Sequence, residues 1–252
     1  MAEPDKPATS MRSLERAIDI LEVIDSSQHA LRLTEIARRA GLPVATTQRI
    51  LGVLEARGRV ERDANGYRPG VALIFGAHAY LTTSPLLTAA RPILHDLAAA
   101  TGLTASLFKR IGWSRVVLAR VDGASPLRYE LPIGERLPLH LGAGKALTAQ
   151  LTDTELTEFL EQLGNLGHPD RGPVDHDDFL AELKTIRDRG YSQARGEREP
   201  GMASVAAAVP DPAGATAAVQ VTGTFADIPE DRVPELGVEL QRAALAIARR
   251  IS

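Results

Sequence analysis

Gln48 and Arg49 are adjacent and carry the side chains best suited to reading base edges. A glutamine amide bonds adenine bidentately, and an arginine fork bonds guanine the same way. A second stretch, LPLHLGAGKALTAQL (137–151), leads a glycine-rich loop into a predicted helix. In that loop Leu141 precedes Gly142, Ala143 and Gly144, whose backbone N–H groups are placed to meet an anion. This is no P-loop, because the GxxxxGK spacing is missing and Ala146 follows Lys145. His168, Asp170, Asp175, His176, Asp177 and Asp178 resemble a metal cluster on paper, but their spacing fits no zinc signature. Acids at a helix start are expected on dipole grounds alone. With no cysteine there are no disulfides, thiolate metal sites or cysteine nucleophiles, and no Ser-His-Asp set has a nucleophile elbow. Neither a catalytic residue, a metal site nor a cofactor is expected.

The elements that must position Gln48 and Arg49 are legible around them. Leu14, Ala17, Ile18, Leu21 and Ile24 recur at helical spacing, and DSSQH (25–29) ends that helix. Thr34 is the expected N-cap of a second helix, with Leu33, Ile36, Ala37 and Ala40 as its apolar stripe. Gly41 stops it, and Pro43 suits the first turn of a third helix with Thr47, Ile50, Leu51 and Leu54 facing inward. Positions 44, 45, 48, 49 and 52 then face outward. Thr46 and Thr47 lie at the helix start, where hydroxyls and free N–H groups bind phosphate. Val44 and Ala45 offer only apolar contact, such as with a thymine methyl.

RVERDANGYRP (59–69) reads as two short strands about Asn65-Gly66, the strongest two-residue hairpin signal. Three helices followed by a hairpin make a winged helix-turn-helix. Arg62 and Arg68 flank the wing tip, where with Asn65 they can reach the DNA backbone or minor groove. From Arg32 to Arg68 there are eight arginines against four acids, whereas the whole chain carries −3. A basic segment in an acidic chain is expected when one domain alone faces phosphates.

The succession SLERAIDILEVI, LTEIARRAGLPVATTQRILGVLE and RVERDANGYRPG resembles the N-terminal domain of IclR-family transcriptional regulators. Arg49 matches the family's arginine. Val44 and Ala45 stand where members carry a basic or hydroxylic pair, and Pro69 where a leucine is usual.

VALIFGAHAYLTTS (71–84) reads as an apolar helix, expected to serve as linker and dimerisation element. Ser84 and Pro85 open another helix. Beyond residue 103 strands are expected at 104–111, 114–121, 126–132, 203–210 and 215–223. Helices are expected at 152–163, with a Thr152/Glu155 capping box, at 175–190 and from about 230 to 251. Strand hairpins mixed with helices indicate an antiparallel α+β domain. This pattern is similar to the family's effector domain, a sheet with a GAF- or PAS-like ligand cavity. The resemblance implies that the 141–144 loop forms one wall of the cavity. It puts the family's acidic position at Ala194, its small polar position at Ser204 and an alternating pair at Gln220 and Thr222. With Arg195 beside the lost carboxylate, the ligand implied is an organic acid or an aromatic or amphipathic metabolite, held by backbone amides, Ser204, Gln220 and Thr222. The run RGERE (195–199) reads as a solvated loop.

The organisation expected is therefore a DNA-binding domain over 10–70, a linker helix over 71–84 and an effector domain over 85–252. The function expected is a cytoplasmic homodimer or dimer of dimers that binds a double-stranded operator, with its affinity controlled by a small molecule. No run is long enough to span a bilayer. The rival readings are an enzyme on the second domain with the winged helix as an interaction module, and an architectural binder with no ligand.

Overall fold

The computed structural model describes residues 7–124, 131–163, 174–212 and 214–251. The chain divides into two compact units, Met1–Thr82 and Thr83–Ser252.

The first unit contains α1 (Pro7–Asp25), α2 (Leu33–Arg39), α3 (Val44–Ala56), the strands β1 (Val60–Arg62) and β2 (Tyr67–Pro69), and most of α4 (Leu73–Thr83). Ile20, Ile24, Leu31, Ile36, Leu51, Val60 and Tyr67 form its core. Two details differ from the periodicity reading. The inward face of α1 runs through Ile20 and Ile24, leaving Leu14 62% and Ile18 47% exposed. Arg32, not Thr34, holds the cap position of α2: its carbonyl accepts the N–H groups of Glu35 and Ile36 at 3.0 Å, and no side chain caps the helix.

Gly41, at φ +65°, lets the chain turn between α2 and α3. Pro43 takes the N-cap position of α3, one residue earlier than expected, and accepts the Thr47 N–H at 3.0 Å. The hairpin closes more widely than a two-residue turn, with Arg62 paired to Tyr67 and four residues between. Asp63 organises it: its Oδ1 accepts the N–H groups of Asn65 and Gly66 at 2.7 and 3.2 Å. Leu31 joins Tyr67 through an isolated antiparallel β-bridge. Gly66, at φ +142°, lies so close to it that a Cβ would fall 2.4 Å from the Leu31 carbonyl oxygen.

The second unit holds one six-stranded antiparallel sheet in the order β5-β4-β3-β8-β7-β6. Its strands are β3 (Thr104–Ile111), β4 (Ser114–Val121), β5 (Arg136–Pro138), β6 (Ser192–Arg195), β7 (Met202–Val209) and β8 (Ala217–Thr224). The short edge strands β5 and β6 had no clear sequence signal. Of the strand expected over 126–132, residues 126–130 lie outside the described residues, as does Ala213 of the turn between β7 and β8.

Helices α6 (Ala143–Thr148), α7 (Asp153–Leu163) and α8 (His176–Arg189) bury Leu147, Phe159, Phe179, Leu183 and Ile186 against Phe108, Val117, Ala206 and Ala218 of one sheet face. Helices α5 (Pro85–Thr101) and α9 (Val233–Ile251) pack on each other and on the sheet's opposite face. The caps read from sequence are present. Ser84 accepts the Leu87 N–H, Thr152 and Glu155 exchange bonds of 3.0 and 3.3 Å, and Asp175 accepts from Asp177 and Asp178. Gly190, at φ +82°, ends α8.

Candidate functional site

In the first unit the buried face of α3 carries Thr47 and Leu51, so Val44, Ala45, Gln48 and Arg49 are all exposed on the other side. Thr46 is half-buried at the helix start. Thr47 is a correction to the expected DNA contacts. It is 0% exposed, and its hydroxyl donates to the Pro43 carbonyl at 3.1 Å, so it secures the first turn instead of facing out. Arg49 makes no ion pair among the described residues. On the wing, Asn65 is exposed at the tip and the Arg62 guanidinium lies 5.3 Å over the Tyr67 ring. Arg68 differs from Arg62: it pairs with Glu61 at 3.2 Å and Asp63 at 3.5 Å, both exposed ion pairs.

The second unit holds a half-open cavity of about 80 Å³ against the sheet. Strand alternation builds its floor, because residues two apart share a face. Thr104 and Ser106 of β3, Ser204 of β7, and Gln220 and Thr222 of β8 all line it. The register sets these side by side, pairing Ser106 with Gln220, Ser204 with Thr222, and Thr104 with Thr222. Ser204, Gln220 and Thr222 therefore stand together, as do Ala194 and Ser204 across the β6–β7 pair. Gln220 is oriented from both ends: its Oε1 accepts the Ala143 N–H at 3.1 Å and its Nε2 donates to Thr222 Oγ1 at 2.6 Å.

The glycine loop behaves differently from the expectation of free amides. Gly142 lines the cavity, but Leu141, Ala143 and Gly144 do not. The Gly142 N–H donates to Glu197 Oε2 at 2.8 Å, the Ala143 N–H to Gln220, and the Gly144 N–H to the Leu141 carbonyl at 3.0 Å. Each amide already has a partner within the chain. The glycines serve close approach instead. Gly142 has φ +53°, and a Cβ on Gly144 would lie 2.3 Å from the Leu139 carbonyl oxygen and 2.6 Å from Arg115 Nη1.

Two residues of this site were missed by the sequence reading. The first is Glu197, taken there as part of a solvated loop. Its carboxylate bonds the Lys145 ammonium as well as Gly142. Lys145 is only 2% exposed and also meets Glu182 Oε1 at 2.5 Å and the Gln193 carbonyl at 2.9 Å. A carboxylate thus reaches the cavity wall although position 194 is alanine. The second is Arg115, 2% exposed on β4. Its Nη1 donates to the Pro138 carbonyl, its guanidinium lies 5.2 Å over the Phe108 ring, and its buried Nε has no hydrogen-bond partner among the described residues. A charge at an inward strand position, in step with Val117, was the available signal.

Arg120, Arg198, Glu199, Leu131, Met202 and Ala203 complete the lining. Arg120 pairs with Asp122 at 2.8 Å and Arg198 with Glu135 at 3.2 Å. Burial, and then the like charge of Arg198, depress Arg115 to about 9 against the opposing pull of Glu197. A guanidinium with that value is still a cation at neutral pH.

Among the described residues no cluster of His, Asp or Glu could hold a metal ion, and His168 and Asp170 lie outside them. No helix among the described residues is long and apolar enough to cross a membrane.

Comparison with known proteins bears on both units. Residues 13–64 match the IclR helix-turn-helix domain, and residues 78–249 match the C-terminal domain of the bacterial transcriptional regulator IclR. The chain is 31% identical over 245 residues to the transcriptional repressor IclR of Escherichia coli (strain K12), covering 94% of this chain and 89% of that protein. The crystal structure of an IclR-family regulator from Brucella abortus superposes with a TM-score of 0.84 at 23% identity, covering 99% of this chain and 96% of the other. An IclR homologue from Microbacterium hydrocarbonoxydans, solved with 4-hydroxybenzoate, gives 0.71 at 23% identity and covers 95% and 98%.

Proposed function

The chain belongs to the IclR family of DNA-binding transcriptional regulators, with an effector-binding domain and no enzymatic role, and we propose that a small molecule in the second unit sets its operator affinity. The observation that carries ligand control is the cavity, where Ser204, Gln220 and Thr222 of two neighbouring strands converge beside Arg115. A pocket of mostly apolar wall with a few convergent polar groups is the usual form of a small-molecule site. The ligand class is an organic acid or an aromatic or amphipathic metabolite. The 4-hydroxybenzoate held by the Microbacterium homologue supports that class.

Operator contacts are assigned to Gln48 and Arg49 for bases and to Thr46, Arg62 and Asn65 for the backbone or minor groove, with Arg68 contributing less because of its acidic partners. The proposed division is a DNA-binding domain over 10–70, a linker over 71–84 and an effector domain over 85–252. A homodimer, or a dimer of such dimers, is the assembly proposed, and the apolar surface of the first unit supports it. No residue of α4 is buried, Phe75 is 72% exposed, and Leu14 and Ile18 of α1 are exposed as well. A two-fold dimer is also what a helix-turn-helix needs to read a palindromic site. Acting as a repressor like its E. coli relative, the chain holds its operator until a ligand with higher affinity for the released conformation shifts the population.

A gel-shift on the DNA upstream of the chain's own gene, repeated with a panel of organic acids, tests this. The expected result is a palindromic footprint whose affinity changes with at least one acid. Operator affinity indifferent to every small molecule would instead favour an architectural role.

A further inference from the structure

We infer that Gly52 sets how deeply α3 enters the major groove of the operator, its missing side chain clearing the space through which Gln48 and Arg49 reach the bases. The inference rests on reading the outward face of α3 as the base-reading surface, and it adds a specificity residue that makes no polar contact of its own.

The chain itself gives position 52 no reason to be glycine. Gly52 is exposed within α3 and has no positive φ, and a Cβ there would meet nothing within 4 Å among the described residues. In an exposed helix interior glycine is the least favourable residue after proline, because it loses the most backbone freedom on folding. The other described glycines have a use inside the chain, with one exception. They take a positive φ, as Gly41 and Gly190 do, or a Cβ would strike neighbouring atoms, as at Gly70 and Gly237. The exception is Gly76, which shares both traits of Gly52 and lies on α4, the helix proposed above to meet a partner copy. Both glycines without an internal use therefore sit where a second molecule is expected.

Helix geometry identifies that molecule for Gly52. Residue 52 is four positions after Gln48 and three after Arg49, so all three share one face. Helical side chains lean toward the N-terminus and cover the turn before their own. A side chain at 52 would thus lie over the turn that carries Gln48 and Arg49, beside them and facing the bases. The fit there is tight, since a helix with its side chains is about 10–12 Å across and the major groove about 12 Å wide. Glutamine is also the shorter of the two readers, so its bidentate bond to adenine requires the backbone close to the groove floor.

Backbone flexibility is the other use of a helical glycine, and bulk separates the two. Alanine and leucine are both strong helix formers but differ in size. Clearance predicts a loss of operator binding that grows from alanine to leucine. Flexibility predicts the same loss for both.

The test compares the full native chain with Gly52→Ala and Gly52→Leu by thermal melting and gel-shift. The probes are an operator duplex that the native chain selects from random sequence and a scrambled duplex of the same length. Gly52→Ala should melt roughly 3–8 °C above the native chain, and Gly52→Leu no lower than it. Operator affinity should fall about three- to tenfold for alanine and roughly ten- to hundredfold for leucine, the latter matching the loss of one bidentate base contact. Binding to the scrambled duplex, and the salt dependence of both, report phosphate contacts and should change little. Equal losses for alanine and leucine overturn the inference in favour of flexibility. Native operator affinity in Gly52→Leu overturns it, as does an equal loss on the scrambled duplex. A Gly52→Ala that melts below the native chain overturns it too, because glycine would then serve the fold. Gln48→Ala and Arg49→Ala separate the inference from the reading beneath it. If they weaken operator binding and Gly52→Leu does not, the inference alone fails. If none of the three positions matters, both fail.

Discussion

Glu197 accepts the backbone N–H of Gly142 at 2.8 Å, joining the β6–β7 connection to the start of α6 across 55 positions of sequence. The second oxygen of the same carboxylate holds the buried Lys145 ammonium. One side chain thereby fixes the loop on one wall of the cavity and neutralises a charge behind it.

Replacing Glu197 by Gln should destabilise the second unit by about 1–3 kcal/mol, because a buried ammonium loses one of its two counter-ions. Glu182→Gln should cost less than about 1 kcal/mol, since its side chain is 38% exposed and water compensates for it. Chemical denaturation of both variants measures the difference. Equal losses would mean that Glu197 braces nothing.

On the DNA-reading surface, Arg49→Ala should weaken binding to the specific operator by about 1–3 kcal/mol and change non-specific duplex binding much less. Competitive gel-shifts on the two duplexes decide it. An equal loss on both would make Arg49 a phosphate anchor, leaving Gln48 to read bases.

Acid stability should report the capping box of α7. The Thr152 N–H first, and then the side chain of Arg110, hold the Glu155 carboxyl below its ordinary 4.5. The folded value is therefore lower than the unfolded one. The stabilisation is fully present above 4.5 and is lost as pH falls through the depressed folded value. Asp227, lowered by the hydroxyl and N–H of Thr224, shifts stability in the same direction. The melting-temperature gap between the native chain and Glu155→Gln should be constant near neutrality and close in acid. A gap that persists to about pH 3 would show that the carboxylate charge contributes nothing.

Local signals carried most of the elements. Strands 104–111 and 114–121 fall where runs of β-forming residues bounded by Gly112 and Gly123 put them, Ser84, Thr152 and Asp175 cap helices through their side chains, and Gly190 stops one through its positive φ. Such features depend on neighbours within one turn or one pleat, so residue types and spacing suffice to read them. Thr47 admits two readings. A threonine at a helix start can bond phosphate or its own backbone; the inward stripe of α3 already included it, and its hydroxyl bonds the Pro43 carbonyl.

Taken by itself, the sequence determined the two-part organisation, the outward placement of Gln48 and Arg49, and the shared face of Gln220 and Thr222. Those are consequences of the 3.6 and 2.0 periodicities, which need no partner to be read. The chemistry of the cavity was decided by tertiary structure. A bulge inserts Leu118 opposite the Leu107–Phe108 step of β3, and it turns Arg120 to the face already occupied by Arg115 and Val117, against simple alternation. Glu197 came to the cavity from a loop that looked solvated, took the Gly142 amide and the Lys145 ammonium, and acts on the buried Arg115 from a distance. Burial and long-range pairing set the value of a charge, and both depend on residues dozens of positions away.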